Sequence, residues 1–311
     1  MQIISAGSCA RRTERQKEQM DILDKITQAR PTFSKGQKRI ADFITSHTDK
    51  AAFMTAAKMG ATVGVSESTV VRFAYELGFG GYPELSRALQ QVIKTQLTSV
   101  QRIAVTQDRI GDGDVLDKVL SFDIDKIRHT LEEISKEDFD RAVDAIAQAR
   151  TIYVIGDRSA GCLAKFIDYY FGLMFSNVRL VHTSSSSELY EQLVRINRED
   201  VLIGISFPRY STLTVKACRF AADAGAKVIA ITDGAGSPLA KAAEILLAAR
   251  SDMTSFVDSL VAPFSVVNAL IVAVGLRKEE EVTQTFNRLE EIWSEYNVYQ
   301  GPAPDAGLPG R

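Results

Sequence analysis

From about Asp21 to Leu97 the apolar residues recur at helical spacing, as in Ile40, Phe43 and Ile44 of SKGQKRIADFITSH. Ser34 stands where a cap for that helix is expected. Over 98–114 the chain turns polar and closes on VTQDRIGDGD, which predicts a linker. Helical spacing returns over 115–149, where Ser135 followed by Asp138 fits a capping pattern before FDRAVDAIAQA. The texture then changes. TIYVIG, VRLVH, VLIGIS, KVIAIT and EILLAA are short β-rich apolar runs, separated by helical segments such as LAKFIDYYFGLMF and LTVKACRFAADAG. Alternating strands and helices predict right-handed crossovers and a parallel sheet covered on both faces. The expected fold class is α/β, with an all-α N-terminal domain over 21–97 followed by an α/β/α sandwich over 115–299. Residues 1–20 read as a disordered basic arm. The Pro- and Gly-rich end, 300–311, reads as a disordered tail. The most apolar stretch, Leu260 to Leu276, is interrupted by Pro263, Ser265 and Asn268. It falls short of the roughly 20 residues of a membrane span and predicts a buried helix, so no membrane partner is expected.

Charge divides the chain in the same place. The whole of 311 residues carries 37 Lys and Arg against 39 Asp and Glu, a net charge of −2. The first hundred residues hold 14 basic and 9 acidic side chains, leaving the remainder acidic. A basic head on an acidic body points to nucleic acid at the head. Three cysteines, Cys9, Cys162 and Cys218, lack any CxxC spacing, and His47, His129 and His182 lie far apart. Neither a disulfide framework nor a metal site is expected. The N-terminus lacks the apolar core of a signal peptide, which predicts a cytoplasmic protein.

The head contains a helix-turn-helix frame over Ala56 to Tyr75. Such a unit needs a small residue at its fifth position, where two helices cross closely, and Gly at its ninth, where the chain turns left-handed. It needs aliphatic or aromatic filling near the tenth, fifteenth and eighteenth positions. Gly60, Gly64, Val65, Val70 and Phe73 occupy those places. Ser66 then caps the second helix. The outer face presents Ser66, Glu67, Ser68, Val71, Arg72 and Tyr75. Since the start of this helix enters the major groove, Ser68 and Arg72 are the expected base readers, Arg being able to take guanine O6 and N7 together. Ser66 and Thr69 are expected on phosphate, with Lys38, Lys35 and Arg39 of the preceding helix in support.

In an open parallel sheet, ligands sit at the carboxyl ends of strands. There the chain carries GDRSAG (Gly156–Gly161), TSSSSE (Thr183–Glu188), SFPRYST (Ser206–Thr212) and DGAGSPLA (Asp233–Ala240). Three of these turns hold hydroxyl clusters, and two hold an arginine, Arg158 and Arg209. Together they suit a small anion rich in hydroxyls. The first turn is GxxxxG rather than GxGxxG, and no GK[ST] follows, so dinucleotide and P-loop sites are not expected. No GxSxG elbow and no placed base accompany the loops. Asp157, Glu188 and Asp233 read as capping and hydrogen-bonding groups. Catalytic residues and cofactors are therefore not expected.

SKGQKRIADFITSH and VGVSESTVVRFAYELGFGGYPELSRAL resemble the N-terminal domain of RpiR-type bacterial transcriptional regulators. Residues from about 140 to 275, with AxxAGAKVIAIT and SPLAKAAE, resemble their sugar isomerase (SIS) domain. The likeness covers roughly residues 20–298. It implies a regulator that binds a double-stranded DNA operator as a homodimer or homotetramer, with the Leu260–Leu276 stretch serving as core or as dimer interface, and senses a sugar phosphate or related anionic sugar derivative. The rival reading is a sugar-phosphate isomerase or lyase with an accessory helical domain. In SIS domains an SxSGxT loop after the third strand cups the phosphate. By that resemblance Ser206 takes the first Ser and Ser211 the Thr, while Pro208 and Arg209 replace the second Ser and the Gly. Ser159 matches the Ser of the first loop. The expected ligand residues are thus Arg158, Ser159, Ser206, Arg209 and Ser211, with Ser184 and Ser185 supplying replacement hydroxyls.

Overall fold

The computed structural model describes residues 22–93, 113–251 and 256–299, with 102–103, 106–107 and 110–111 between the first two ranges. Within the stretch expected to be a linker, residues 102–103, 106–107 and 110 are helical. The expected arm and tail lie outside the described residues. The chain divides into two compact units: the first reaches Gly113 and also takes in 256–257, and the second holds the rest of the described residues from Asp114 on.

The first unit is all helical. It comprises α1 (Ile22–Ala29), a 3₁₀ turn (Arg30–Thr32), α2 (Lys35–Ser46), α3 (Thr48–Ala51), α4 (Ala56–Val63), α5 (Glu67–Glu76) and α6 (Tyr82–Ile93). The amphipathic spacing gives these helices one shared core, in which Ile26, Ile40, Ile44, Met59, Phe73 and Leu85 are fully buried. Phe33 packs its ring on Phe73 at 5.0 Å. Ser34 caps α2 in a full capping box with Gln37, which fixes where that helix starts.

The second unit opens with α7 (Val115–Glu133) and α8 (Lys136–Gln148), the latter capped by Ser135 as its sequence predicts. The alternation that follows is β1 (Ile152–Gly156), α9 (Gly161–Met174), β2 (Val178–Val181), α10 (Ser186–Leu193), β3 (Val201–Ile205), α11 (Thr212–Asp223), β4 (Lys227–Thr232) and β5 (Ile245–Ala248). Two helices close the unit, α12 (Val261–Arg277) and α13 (Glu279–Glu295). All five strands are parallel, in the order β2-β1-β3-β4-β5.

The strands are apolar without alternation because both faces are buried. Ile152, Val154, Ile203 and Ile229 enter one core with α8, α9 and α12. Tyr153, Ile155, Leu202 and Val228 enter the other with α10 and α11. Neighbouring residues of each strand thus serve opposite layers, the period-two consequence of the pleat. Helix α12 is the apolar stretch expected to be buried. It buries Ala262, Val267, Leu270 and Val274, but Val272 and Leu276 are exposed. Among the described residues no single helix is long and apolar enough to cross a membrane.

Candidate functional site: a helix-turn-helix and a switch-point cavity

In the first unit the turn between α4 and α5 has the geometry its sequence requires. Gly64 ends α4 at φ 71 and ψ 46, a left-handed conformation glycine adopts without strain. At Gly60 a Cβ would stand 2.8 Å from the Val65 carbonyl oxygen, so only a hydrogen there lets the two helices cross. Arg39 donates to the Gly64 carbonyl at 3.1 Å, which ties α2 to the turn. Its guanidinium, read from sequence as a phosphate contact, is thus part of the scaffold. Gln37 donates to Glu76 and holds α2 against the end of α5.

Ser66 caps α5 by accepting from the Thr69 amide, and its hydroxyl also meets Ser68 Oγ at 2.9 Å and Thr69 Oγ1 at 2.8 Å. The three hydroxyls form one polar cluster at the helix N-terminus. Arg72 is exposed one turn further on, and neither Arg72 nor Lys38 has a side-chain partner among the described residues. Val71, read as part of the outer face, is half-buried against the core.

In the second unit β1 is followed by β2 on one side and β3 on the other. The loops after β1 and β3 therefore diverge, and a crevice opens between them at the carboxyl end of the sheet. A cavity of about 200 Å³ lies there. Arg158, Ser159, Ser206, Arg209 and Ser211 all line it, with Asp157 and Asp258 beside them. These are five of the seven ligand residues read from sequence.

Both arginines have left-handed backbones, Arg158 at φ 56 and Arg209 at φ 71. Such residues cost energy and persist where the surroundings impose them. Arg209 stands where the family loop has glycine, and it keeps the conformation a glycine would take. Neither guanidinium has an ion-pair or hydrogen-bond partner among the described residues, although both are exposed at the cavity. The loop before Arg158 is held close by Gly156, where a Cβ would meet the Ala160 carbonyl oxygen at 2.6 Å.

The hydroxyls behave differently. Ser211 donates to Asp157 Oδ2 at 2.9 Å and caps α11 by accepting from the Thr214 amide. Ser206 Oγ accepts from the Ser211 amide at 3.0 Å. Asp157 also accepts from the Arg158 amide at 2.8 Å, which fixes the first loop. Ser206, Ser211 and Asp157 thus clasp the two loops together, and the Ser211 hydroxyl is already used on both its donor and its acceptor side. The second loop is latched further by Tyr210, which donates to Asp233 at 2.8 Å. Burial, and then the Asp233 charge, push the Tyr210 phenol well above its ordinary value.

Ser184 and Ser185 are not among the lining residues. They follow β2, an edge strand one place beyond β1. Ser185 caps α10 by accepting from the Glu188 amide, and its own amide donates to Thr183. This turn is built as a helix start and brings no hydroxyl to the cavity. Asp258, by contrast, lines the cavity from a segment about 50 positions beyond the second loop, and nothing in its local sequence marks it.

The fold and these two sites define a helix-turn-helix protein with a SIS domain. Residues 20–96 match the helix-turn-helix domain of the rpiR family, and residues 145–273 match the SIS domain. The chain belongs to the RpiR family of transcriptional regulators. It is 27% identical over 289 residues to the HTH-type transcriptional regulator HexR of Escherichia coli, covering 89% of this chain and 95% of that protein. The sugar isomerase domain of an RpiR transcription factor from Sphaerobacter thermophilus superposes with a TM-score of 0.54 at 26% identity, covering 57% of this chain and 98% of that one. The Vibrio vulnificus NanR protein, solved in complex with ManNAc-6P, shares the fold at a TM-score of 0.55 and 19% identity, over 90% of this chain and all of that one.

Proposed function

We propose that this regulator senses a phosphorylated sugar, or a related anionic sugar derivative, in the cavity between the loops after β1 and β3. The observation that carries the reading is the pair of guanidinia, Arg158 and Arg209, without a partner among the described residues and held at that cavity by backbone a glycine would adopt more readily. Arginine suits bidentate contact with phosphate or carboxylate. Ser159 and Ser206, which also line the cavity, add hydroxyls for sugar oxygens. That NanR, with the same fold, was solved with a sugar phosphate supports the class of ligand.

At the other site, Arg72 and Ser68 read base edges while Ser66, Thr69 and Lys38 rest on phosphate. The chain acts in the cytoplasm as a homodimer or homotetramer, placing two reading helices on a two-fold operator. The ligand changes DNA affinity only so far as it prefers one of two states of the oligomer. It is bound rather than turned over. Asp157, the acid nearest the first loop, is engaged by the Arg158 amide and Ser211, and so is not a base held ready for isomerisation.

Thermal melts of the full chain with a panel of sugar phosphates and sugar acids test this. A matching ligand at 100 times its Kd stabilises by roughly 2.7 kcal/mol, a shift of several degrees. A shift with neutral sugars and none with their phosphates or acids would overturn the reading.

A further inference from the structure

Helix α7 is turned the wrong way round for a helix that serves only its own unit. Its fully buried positions are polar. Lys126 and Thr130 are buried, Lys126 pairs with Asp123 at 3.1 Å, Asp123 accepts from Ser259, and Thr130 accepts from the Arg250 amide. Glu133 pairs with Arg250 on the same side. None of the apolar side chains of α7 enters either core of the second unit or packs against one. Instead Leu116, Leu120, Ile124, Ile127 and Leu131, at 39–71% exposure, recur at three- and four-residue spacing along one side. From Leu116 to Leu131 they form a stripe about 22 Å long at roughly 1.5 Å per residue, along most of the 19 residues of the helix. An amphipathic helix directs such a stripe to the surface it packs on.

We propose that this stripe is where a second copy of the chain docks, α7 lying antiparallel on the partner's α7 across a two-fold axis near Ile124. The proposal rests on the reading of the regulator as a homo-oligomer. Two features favour a second copy over another occupant. The stripe is symmetric about Ile124: Leu116 and Leu131 lie at similar distances on either side, and so do Leu120 and Ile127. A two-fold axis there sets like on like, as an isologous interface requires. The charges on one flank also complement each other. Asp117 and Arg128 project on the same side of the stripe about three turns apart. In an antiparallel pair the two copies bring the same flanks together, so that each Asp117 comes opposite the other copy's Arg128. Among the described residues Arg128 pairs only with Asp125 of its own helix, both exposed, an interaction of little worth and easily exchanged.

The test is cysteine cross-linking in the full chain, with Cys9 and Cys162 changed to Ser; Cys218 is buried. Under mild oxidation Ile124→Cys is expected to give covalent dimers. Leu116→Cys alone is expected to give none, and Leu116→Cys with Leu131→Cys in one chain to restore them. In parallel, light scattering of Leu120→Arg with Ile127→Arg is expected to show the oligomer reduced by a factor of two in mass, with a thermal melt confirming the fold. If the native chain is monomeric at micromolar concentration, the homo-oligomer reading itself fails. If the native chain is oligomeric but Ile124→Cys does not cross-link, or the arginine variant keeps its full mass, the oligomer stands and the α7 interface is wrong.

Discussion

The helix-turn-helix draws its exposed groups from one run, Ala56 to Tyr75, with Lys38 beside it, whereas the sheet cavity collects residues 157–160, 206–209, 211 and 258 from three separate loops. Yet the two divide their labour alike. In each, a serine caps a helix: Ser66 starts α5 and Ser211 starts α11. In each, arginines have no partner among the described residues: Arg72 in one, Arg158 and Arg209 in the other. The difference lies in how the arginines are held. Arg72 sits in ordinary helical backbone, while the cavity arginines sit in left-handed backbone fixed by the clasp of Asp157, Ser206 and Ser211. A serine's hydroxyl, once committed to a cap, builds the site. On the proposed reading the arginines are left to meet the ligand or the DNA.

The sharpest break of that comparison separates the units by their glycines. Gly60→Val drives a side chain into the Val65 carbonyl, and backbone there cannot yield. It is expected to cost the first unit roughly 3 kcal/mol, the upper end of ordinary overpacking, and to abolish binding to every DNA sequence. The ligand-induced melting shift should survive. Gly156→Val, against the Ala160 carbonyl, is expected to give the opposite pattern: no ligand response, with retained DNA binding in a gel-shift assay.

The arginines come next. Removing one charged hydrogen-bonding partner costs about 2 kcal/mol, or roughly 30-fold in Kd. Arg158→Ala and Arg209→Ala are each expected to weaken ligand binding by that amount in calorimetric titration. Arg209→Gly should weaken it equally without lowering Tm, because glycine takes φ near 70 without strain and offsets its own entropic cost. Arg72→Ala should lose about 1–3 kcal/mol on the operator and leave ligand affinity unchanged.

The serines separate scaffold from contact more finely. Ser185→Ala and Ser211→Ala each remove a cap worth about 1 kcal/mol of stability in denaturant unfolding. Only Ser211→Ala should also weaken ligand binding, through the released Asp157, and by less than either arginine change. The smallest effect belongs to Tyr210. Its phenol is held above its ordinary value, so its contribution to stability is complete below about pH 10, where the unfolded phenol begins to ionise. That contribution is lost as pH rises beyond it. Tyr210→Phe should flatten this alkaline arm of the melting profile and leave the neutral range little changed.

Local rules made the first unit legible. Gly60, Gly64, Ser34 and Ser66 act within a few residues of themselves, and each does in the structure what its spacing predicts. Five apolar runs likewise became the five strands, since a doubly buried strand has few other ways to be written. The order of those strands was the missing quantity. Without it the Ser-rich turn after β2 looked equal to the turns after β1 and β3. Strand order shows that only the latter two flank the switch point. Asp258 and the Tyr210–Asp233 latch are products of tertiary placement and left no periodic signal. The left-handed backbone of Arg158 was equally invisible. That of Arg209 was foreshadowed only by its standing where the family carries glycine.

The central claim is that an anion held by Arg158 and Arg209 alters what Arg72 and its neighbours do on DNA. It is tested most directly by fluorescence anisotropy of a labelled operator, titrated with the full chain in the presence and absence of the sugar phosphate or sugar acid giving the largest melting shift. The account predicts a change of operator affinity of about 5- to 150-fold, the usual range of allosteric coupling, and its disappearance in the Arg158→Ala, Arg209→Ala double variant. An operator affinity that is the same with and without saturating ligand, or a ligand effect that persists in the double variant, would contradict it.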